Sequence, residues 1–247
     1  MTDILLYSIL TLIFSTLFAM GGVGSAIALV PIFTLLGLPF NLAKATGLFI
    51  NTSSTVVASV MNLKRGALDV KIILPLIVAV LLATPLGAYL SIYVDEVLVK
   101  WLLVIFLLTS ATLLLFQKRE ALFHCREGYW LFIIGAGVGV VSGLLGVGGG
   151  ALMMPLLILL GYNAKEAAIA ISFVIPFSSF AAFSTYLTFV DIDWFLLGAV
   201  TIAAIIGGYL GNRIMYFKLS PAQIKKLIAV ILYLLAGKFI YDLLIFL

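Results

Sequence analysis

The fold class this sequence predicts is an all-α polytopic integral membrane protein, built as two inverted repeats that together make one membrane domain. Three observations predict it. Of 247 residues, 64% are hydrophobic and only 10% are charged, against about 45–50% and about 25% in soluble domains, so too little polarity remains to cover a water-facing surface. The apolar residues fall in runs of roughly twenty, the length that crosses about 30 Å of hydrocarbon as a helix with its backbone bonded internally. Landmark residues also recur at an interval of 124 positions, which marks an internal duplication.

Taken in order, the chain opens MTDILLYSILTLIF, with Asp3 in place of a basic cluster and no AxA-like cleavage site, and reads as a retained first helix. Apolar segments follow at 4–20, 25–36, 45–62, 72–94 and 97–116, then at 129–145, 150–160, 167–189, 194–212 and 227–247. The second segment of each set is too short to span. Each follows a glycine-rich break, Gly21, Gly22 and Gly24 in the first half and Gly146, Gly148, Gly149 and Gly150 in the second. Pro31 and Pro155, Gly37 and Gly161, and Asp69 and Asp193 are each 124 residues apart, and GAYL from Gly87 matches GGYL from Gly207 after a four-residue gap. The repeats are residues 1–118 and 119–247.

The cations set the orientation. Lys64, Arg65 and Lys71, then Lys118, Arg119 and Arg126, then Arg213, Lys218, Lys225 and Lys226 form three basic loops, assigned to the cytoplasm. Asp95, Glu96, Asp191 and Asp193 fall outside. The alternation closes only if each glycine-broken pair is a hairpin that enters and returns on one side. Each half is then a broken hairpin plus three crossings, an odd number, which forces the repeats into opposite orientation. Both termini lie outside, and the location is the cell (inner) membrane. Trp101 and Trp194 fall at outer boundaries and Trp130 at an inner one, as interfacial anchors.

One Cys, Cys125, and one His, His124, exclude a disulfide framework, a CxxC pair, a Ser-His dyad and a Cys/His metal site. No catalytic residue, metal or cofactor is assigned, and the chain reads as a non-enzyme. The net charge of +4 lies in loops between spans and implies no nucleic-acid partner. The run GLLGVGGGAL lacks the GK[ST] ending of a nucleotide loop, so ATP binding is excluded.

A helix that restarts inside the bilayer points free N–H groups and its positive dipole end toward the midplane, which suits an anion. Segments starting at Ser25 and Gly150 supply two such ends. Inverted repeats with broken helices around a midplane site are a recurring transporter build. Asn51, Thr52, Ser53, Ser54 and Thr55 wrap more than one helix face, too many to be hidden as backbone-bonded hydroxyls. Ser172, Pro176, Ser178 and Ser179 lie on the matching helix, where Pro176 frees a carbonyl. Lys238 and Asp242, four apart in the last segment, are candidates for ion coupling or for a snorkelling surface pair. Asp69 and Asp193 suit helix N-caps, and Lys44, a lone cation on the outer side, is read as a solvated loop lysine, with attraction of anions as the alternative. Gly135, Gly139, Gly143, Gly207 and Gly211 suit helix packing, within one chain or across a homodimer.

On these residues the chain resembles the sulfite exporter TauE/SafE family. The resemblance is carried by GGVGSAIALVPIFTLLGLPFNLAKATGLFINTSST with RGALD in the first half, and by GLLGVGGGALMMPLLILLGYNAKEAAIAIS with FVDID in the second. It implies export of sulfite, sulfoacetate or related organosulfonates. By position it implies a substrate site of Gly22, Gly24, Gly146, Gly148, Gly149 and Gly150 with Asn51, Ser53, Ser54 and Ser172. The first break departs from the second, with Ser25 and Ala26 where the second has Gly149 and Gly150. The combined reading is a secondary transporter of small sulfur-containing anions working by alternating access, with the lipid bilayer and a small anion as its partners. An anion channel and a non-transporting membrane scaffold are the alternatives.

Overall fold

The computed structural model describes residues 2–64, 70–116, 128–162, 164–217 and 221–245. Ten helices order the described residues: α1 (Thr2–Gly21), α2 (Ala26–Leu35), α3 (Phe40–Lys64), α4 (Val70–Leu90), α5 (Glu96–Phe116), α6 (Gly128–Leu145), α7 (Gly150–Leu159), α8 (Ala164–Tyr186), α9 (Trp194–Phe217) and α10 (Pro221–Ile245). Arg65, Asp69, Lys118, Arg119, His124, Cys125, Arg126 and Lys218, which the sequence reading placed in loops, lie outside the described residues. Seven helices, all but α2, α3 and α7, are long and apolar enough to cross a membrane. At 25 residues α3 is as long as any but carries the polar cluster. Leu82, Leu86, Phe195, Ile202 and Leu234 project outward and exposed, an apolar exterior that suits lipid.

Several ends differ from the hydropathy reading. Helix α3 begins at Phe40, five residues before its apolar stretch, and α4 stops at Leu90, where residues 91–94 form a turn. Hydropathy follows side chains, whereas helix ends follow backbone bonding and caps. Asp95 accepts from the Val97 and Leu98 N–H groups and Asp193 from those of Phe195 and Leu196, so Asp193 is the N-cap the sequence anticipates.

The short helices stop identically. In α2, Gly37 N–H bonds the Thr34 carbonyl and Leu38 N–H the Phe33 carbonyl; in α7, Gly161 pairs with Ile158 and Tyr162 with Leu157. Both are Schellman turns, and both glycines sit at φ +96°, where a side chain is strained. Helix α2 folds back along α1: the Tyr7 hydroxyl donates to the Leu36 carbonyl at 3.3 Å, and Ser15 and Ser25 hydroxyls meet at 3.2 Å. At 1.5 Å per residue α1 is about 30 Å long and α2 about 15 Å, so the hairpin has one long arm and one short one. Residues 26–33 of α2 are all buried, as are most of α7.

Packing partners repeat when α1–α5 are exchanged for α6–α10. Helix α4 packs on α6 as α9 packs on α1, α3 on α9 as α8 on α4, and α2 on α3 as α7 on α8, while α3 pairs with α8 and α5 with α10. The glycines at four-residue spacing form the tightest seams. Gly135, Gly139 and Gly143 face Ala79, Ala83 and the Thr84 carbonyl in order along α4, and Gly207 and Gly211 face Leu12 and Thr16 of α1. A Cβ at Gly87 would lie 2.0 Å from the Val140 carbonyl oxygen, so only glycine permits that approach. Helices α3 and α8 run antiparallel: Phe49 meets Phe183, Asn51 meets Ser179, and Ser59 meets Ser172, numbers rising on one helix as they fall on the other.

Candidate functional site

The two breaks depend on left-handed glycines. Gly22, Gly24, Gly146, Gly148 and Gly149 have φ between +69° and +81°, a region no other residue type occupies among those described. Helices α2 and α7 restart at once, and neither Ser25 nor Gly149 supplies a side-chain cap. The first N–H groups of each short helix therefore face the break. The breaks also touch each other, since a Cβ at Gly150 would lie 2.4 Å from the Val23 carbonyl oxygen.

Both converge on one side chain. A Cβ at Gly24 would lie 2.4 Å from Asn51 Oδ1, and one at Gly148 would lie 2.3 Å from Asn51 Nδ2 and 2.7 Å from Ser179 Oγ. Asn51 is fully buried; its Nδ2 donates to Ser179 Oγ at 2.9 Å, while its Oδ1 has no partner. An unpaired buried acceptor costs about 1–3 kcal/mol, so Asn51 Oδ1 is open to any donor that joins it. Ser178 Oγ lies 3.4 Å from the Gly148 carbonyl on the same side. The two glycine breaks, Asn51 and Ser179 thus meet at one buried crossing, with Ser178 beside the second break.

A polar strip extends from that point along α3. Asn62 Nδ2 donates to Ser172 Oγ at 3.0 Å, and the Asn62 Oδ1 is again unpaired. Pro176 removes the N–H that would bond the Ser172 carbonyl, and the Ser59 hydroxyl donates to that carbonyl instead. At the other end Lys44 is buried beside Gly146. From Lys44 to Asn62 the strip covers about 27 Å of helix, close to the hydrocarbon thickness of about 30 Å.

Residues 7–239 match the model of the sulfite exporter TauE/SafE family. The chain belongs to that family. A probable membrane transporter protein of Haemophilus influenzae is 24% identical over 224 residues, which is 89% of this chain and 88% of that one. A probable membrane transporter protein of Methanocaldococcus jannaschii is 26% identical over 231 residues, 85% of each. Both names describe membrane transport, and this TauE/SafE protein is a multi-pass membrane transporter.

The TauE/SafE fold brings only some of the anticipated residues together. Gly24, Gly148, Gly150 and Asn51 meet at the crossing; Gly22 packs on Ala168, Gly146 on Lys44, Gly149 on Ser142, and Ser25 on Ser15. Ser172 and Pro176 lie farther along the strip with Ser59 and Asn62. Ser53 and Ser54 contribute otherwise. The Thr52, Ser53, Ser54 and Thr55 hydroxyls all donate to carbonyls of their own helix, and Ser54 is pressed against Gly208 of α9. So many hydroxyls do not exceed what the backbone can absorb, because each has a carbonyl one turn back within reach. Lys44 is also corrected: it is 1% exposed, not a solvated loop lysine. Lys238 and Asp242 form an ion pair on α10 with side chains 54% and 29% exposed, the surface-pair arrangement and not a buried relay. Sequence reasoning missed Ser59 and Asn62. Their signal was present in the spacing of 44, 51, 55, 59 and 62, steps of three, four and seven that keep one helix face. Among the described residues no three His, Cys, Asp or Glu side chains gather where they could share a metal ion.

Proposed function

We propose that the chain is a secondary transporter that exports small sulfur-containing anions, sulfite or organosulfonates, by alternating access between two inverted halves, 1–118 and 119–247. The observation that carries the reading is the convergence of two glycine breaks, each opening an uncapped helix, on Asn51, whose Oδ1 has no partner. The inverted arrangement is supported by the antiparallel meeting of α3 and α8 and by packing partners that repeat between halves.

In this mechanism the anion's charge rests between the N–H groups that open α2 and α7, where the helix dipoles favour it. Ser179 and the second N–H of Asn51 Nδ2 replace part of its hydration shell with donors, while the Ser178 hydroxyl stays on the Ile175 and Gly148 carbonyls. The Asn51 Oδ1 is an acceptor, so it suits the hydroxyl of a protonated oxyanion such as hydrogensulfite and disfavours a fully ionised one. Rocking of the halves about the α3–α8 seam opens the site to one side and then the other, with both termini outside the inner membrane.

The test is uptake of labelled sulfite and sulfoacetate into proteoliposomes with and without an imposed proton gradient. Saturable flux that responds to the gradient is the expected outcome. Flux without saturation would mean a channel, and no flux from folded protein would remove the substrate assignment.

A further inference from the structure

Lys44 lies one turn into α3 and is among the largest fully buried side chains of the protein. Its Nζ sits 4.5 Å from the Phe40 ring centroid and 5.2 Å from that of Tyr186. The Tyr186 hydroxyl is committed elsewhere, donating to the Gly143 and Leu144 carbonyls at 3.1 and 3.3 Å. Two aromatic faces attract an ammonium but neutralise no charge. No carboxylate among the described residues forms an ion pair with Lys44. Glu96, the acid whose charge reaches it, is bound to Lys100 at 2.6 Å. A buried charge without a counter-charge is strongly disfavoured, and the neighbouring Lys100 adds a second positive charge, so an ammonium at Lys44 requires a negative partner.

Its position says what kind. The stem of Lys44 packs on Gly146, where a Cβ would come within 2.5 Å of Lys44 Cβ and Cγ. The corresponding contact in the first half is Gly22 on the methyl group of Ala168. Lys44 and Asn51 are seven residues apart on one face of α3, about 10 Å along its axis, and both touch the second break. We infer that Lys44 is a binding station for one small oxyanion, which serves as its exchangeable counter-charge, at the α3 N-terminal end of the strip and separate from the Asn51 crossing. The inference rests on the transporter reading above for the anion's class.

Sulfite binding and sulfite flux test the two separately. Purified wild type should melt at a higher temperature as sodium sulfite is added. Lys44→Met should melt at least as high as wild type without sulfite, because the unpaired charge is gone, and should lose most of the sulfite-dependent rise. In proteoliposomes its KM for sulfite should increase about ten-fold or more, while Lys44→Arg, which keeps the charge, should retain part of the rise. If Lys44→Met does not fold, Lys44→Gln is read in the same way. A wild-type protein whose melting ignores sulfite, or a Lys44→Met variant with the full rise and an unchanged KM, would overturn the station. Sulfite-dependent melting that requires Lys44 in a protein with no sulfite flux would keep the station and remove the transport reading.

Discussion

Gly22 rests on the methyl group of Ala168, and its counterpart 124 residues on, Gly146, rests on the buried stem of Lys44. The same contrast runs along the two long helices that cross at the centre. Helix α3 brings the amides of Asn51 and Asn62 and the lysine, whereas α8 answers with the hydroxyls of Ser172, Ser178 and Ser179 and the carbonyl that Pro176 releases. Their scaffolding is shared: matching Schellman turns end α2 and α7, and matching glycine seams join α4 to α6 and α9 to α1. The two halves therefore share backbone geometry and differ in polar chemistry. The second break, with three left-handed glycines against two, touches both Asn51 and Lys44, whereas the first touches Asn51 alone of the two, so the second carries more of the proposed site.

That imbalance can be broken by substitution. Gly148→Ala should reduce sulfite flux most, at least a hundred-fold, because its methyl group collides with both Asn51 and Ser179 and the left-handed backbone adds about 1–2 kcal/mol of strain. Gly24→Ala carries the same strain but meets Asn51 alone, and should reduce flux less. Equal losses would erase the proposed inequality of the breaks. The scaffold should behave oppositely. Gly87→Ala and Gly207→Ala intrude on the Val140 and Leu12 carbonyls and should each lower stability by about 1–3 kcal/mol, seen as lower melting temperatures, with similar losses in the two halves. Gly137→Ala, which meets nothing within 4 Å and lies inside α6, is the control and should be neutral or stabilising by up to about 1 kcal/mol.

The smallest effect concerns the joint between the helices. Ser59→Ala should cost about 1 kcal/mol by leaving the Ser172 carbonyl unpaired. In a Pro176→Ala background that carbonyl regains an intrahelical donor, and the cost of Ser59→Ala should shrink. A double-mutant cycle in melting free energy measures the coupling, and additive losses would show that Ser59 serves something other than the proline's gap.

How much of this was legible followed from how local each cause is. The breaks, the Asp193 cap and the packing glycines depend on residues close in sequence or on helical period, and each is legible in the sequence. Asn51 was found as a polar residue in an apolar span, but its partner Ser179 is 128 positions away. Lys44 looked solvated because its immediate neighbours allow it; Gly146 and Tyr186, from the other half, bury it. The hydroxyls of Thr52, Ser53, Ser54 and Thr55 misled because Ser and Thr can satisfy themselves on their own helix, while Asn51 bonds across to α8.

The central claim is that the crossing at Asn51 holds the transported anion. Its most direct test is labelled sulfite uptake by proteoliposomes of wild type and Asn51→Leu, matched for melting temperature and reconstitution. Leucine fills similar space and removes both the donor and the unpaired acceptor, so stability should be nearly unchanged while uptake falls at least ten-fold. Uptake at the wild-type rate and KM in well-folded Asn51→Leu would contradict the account.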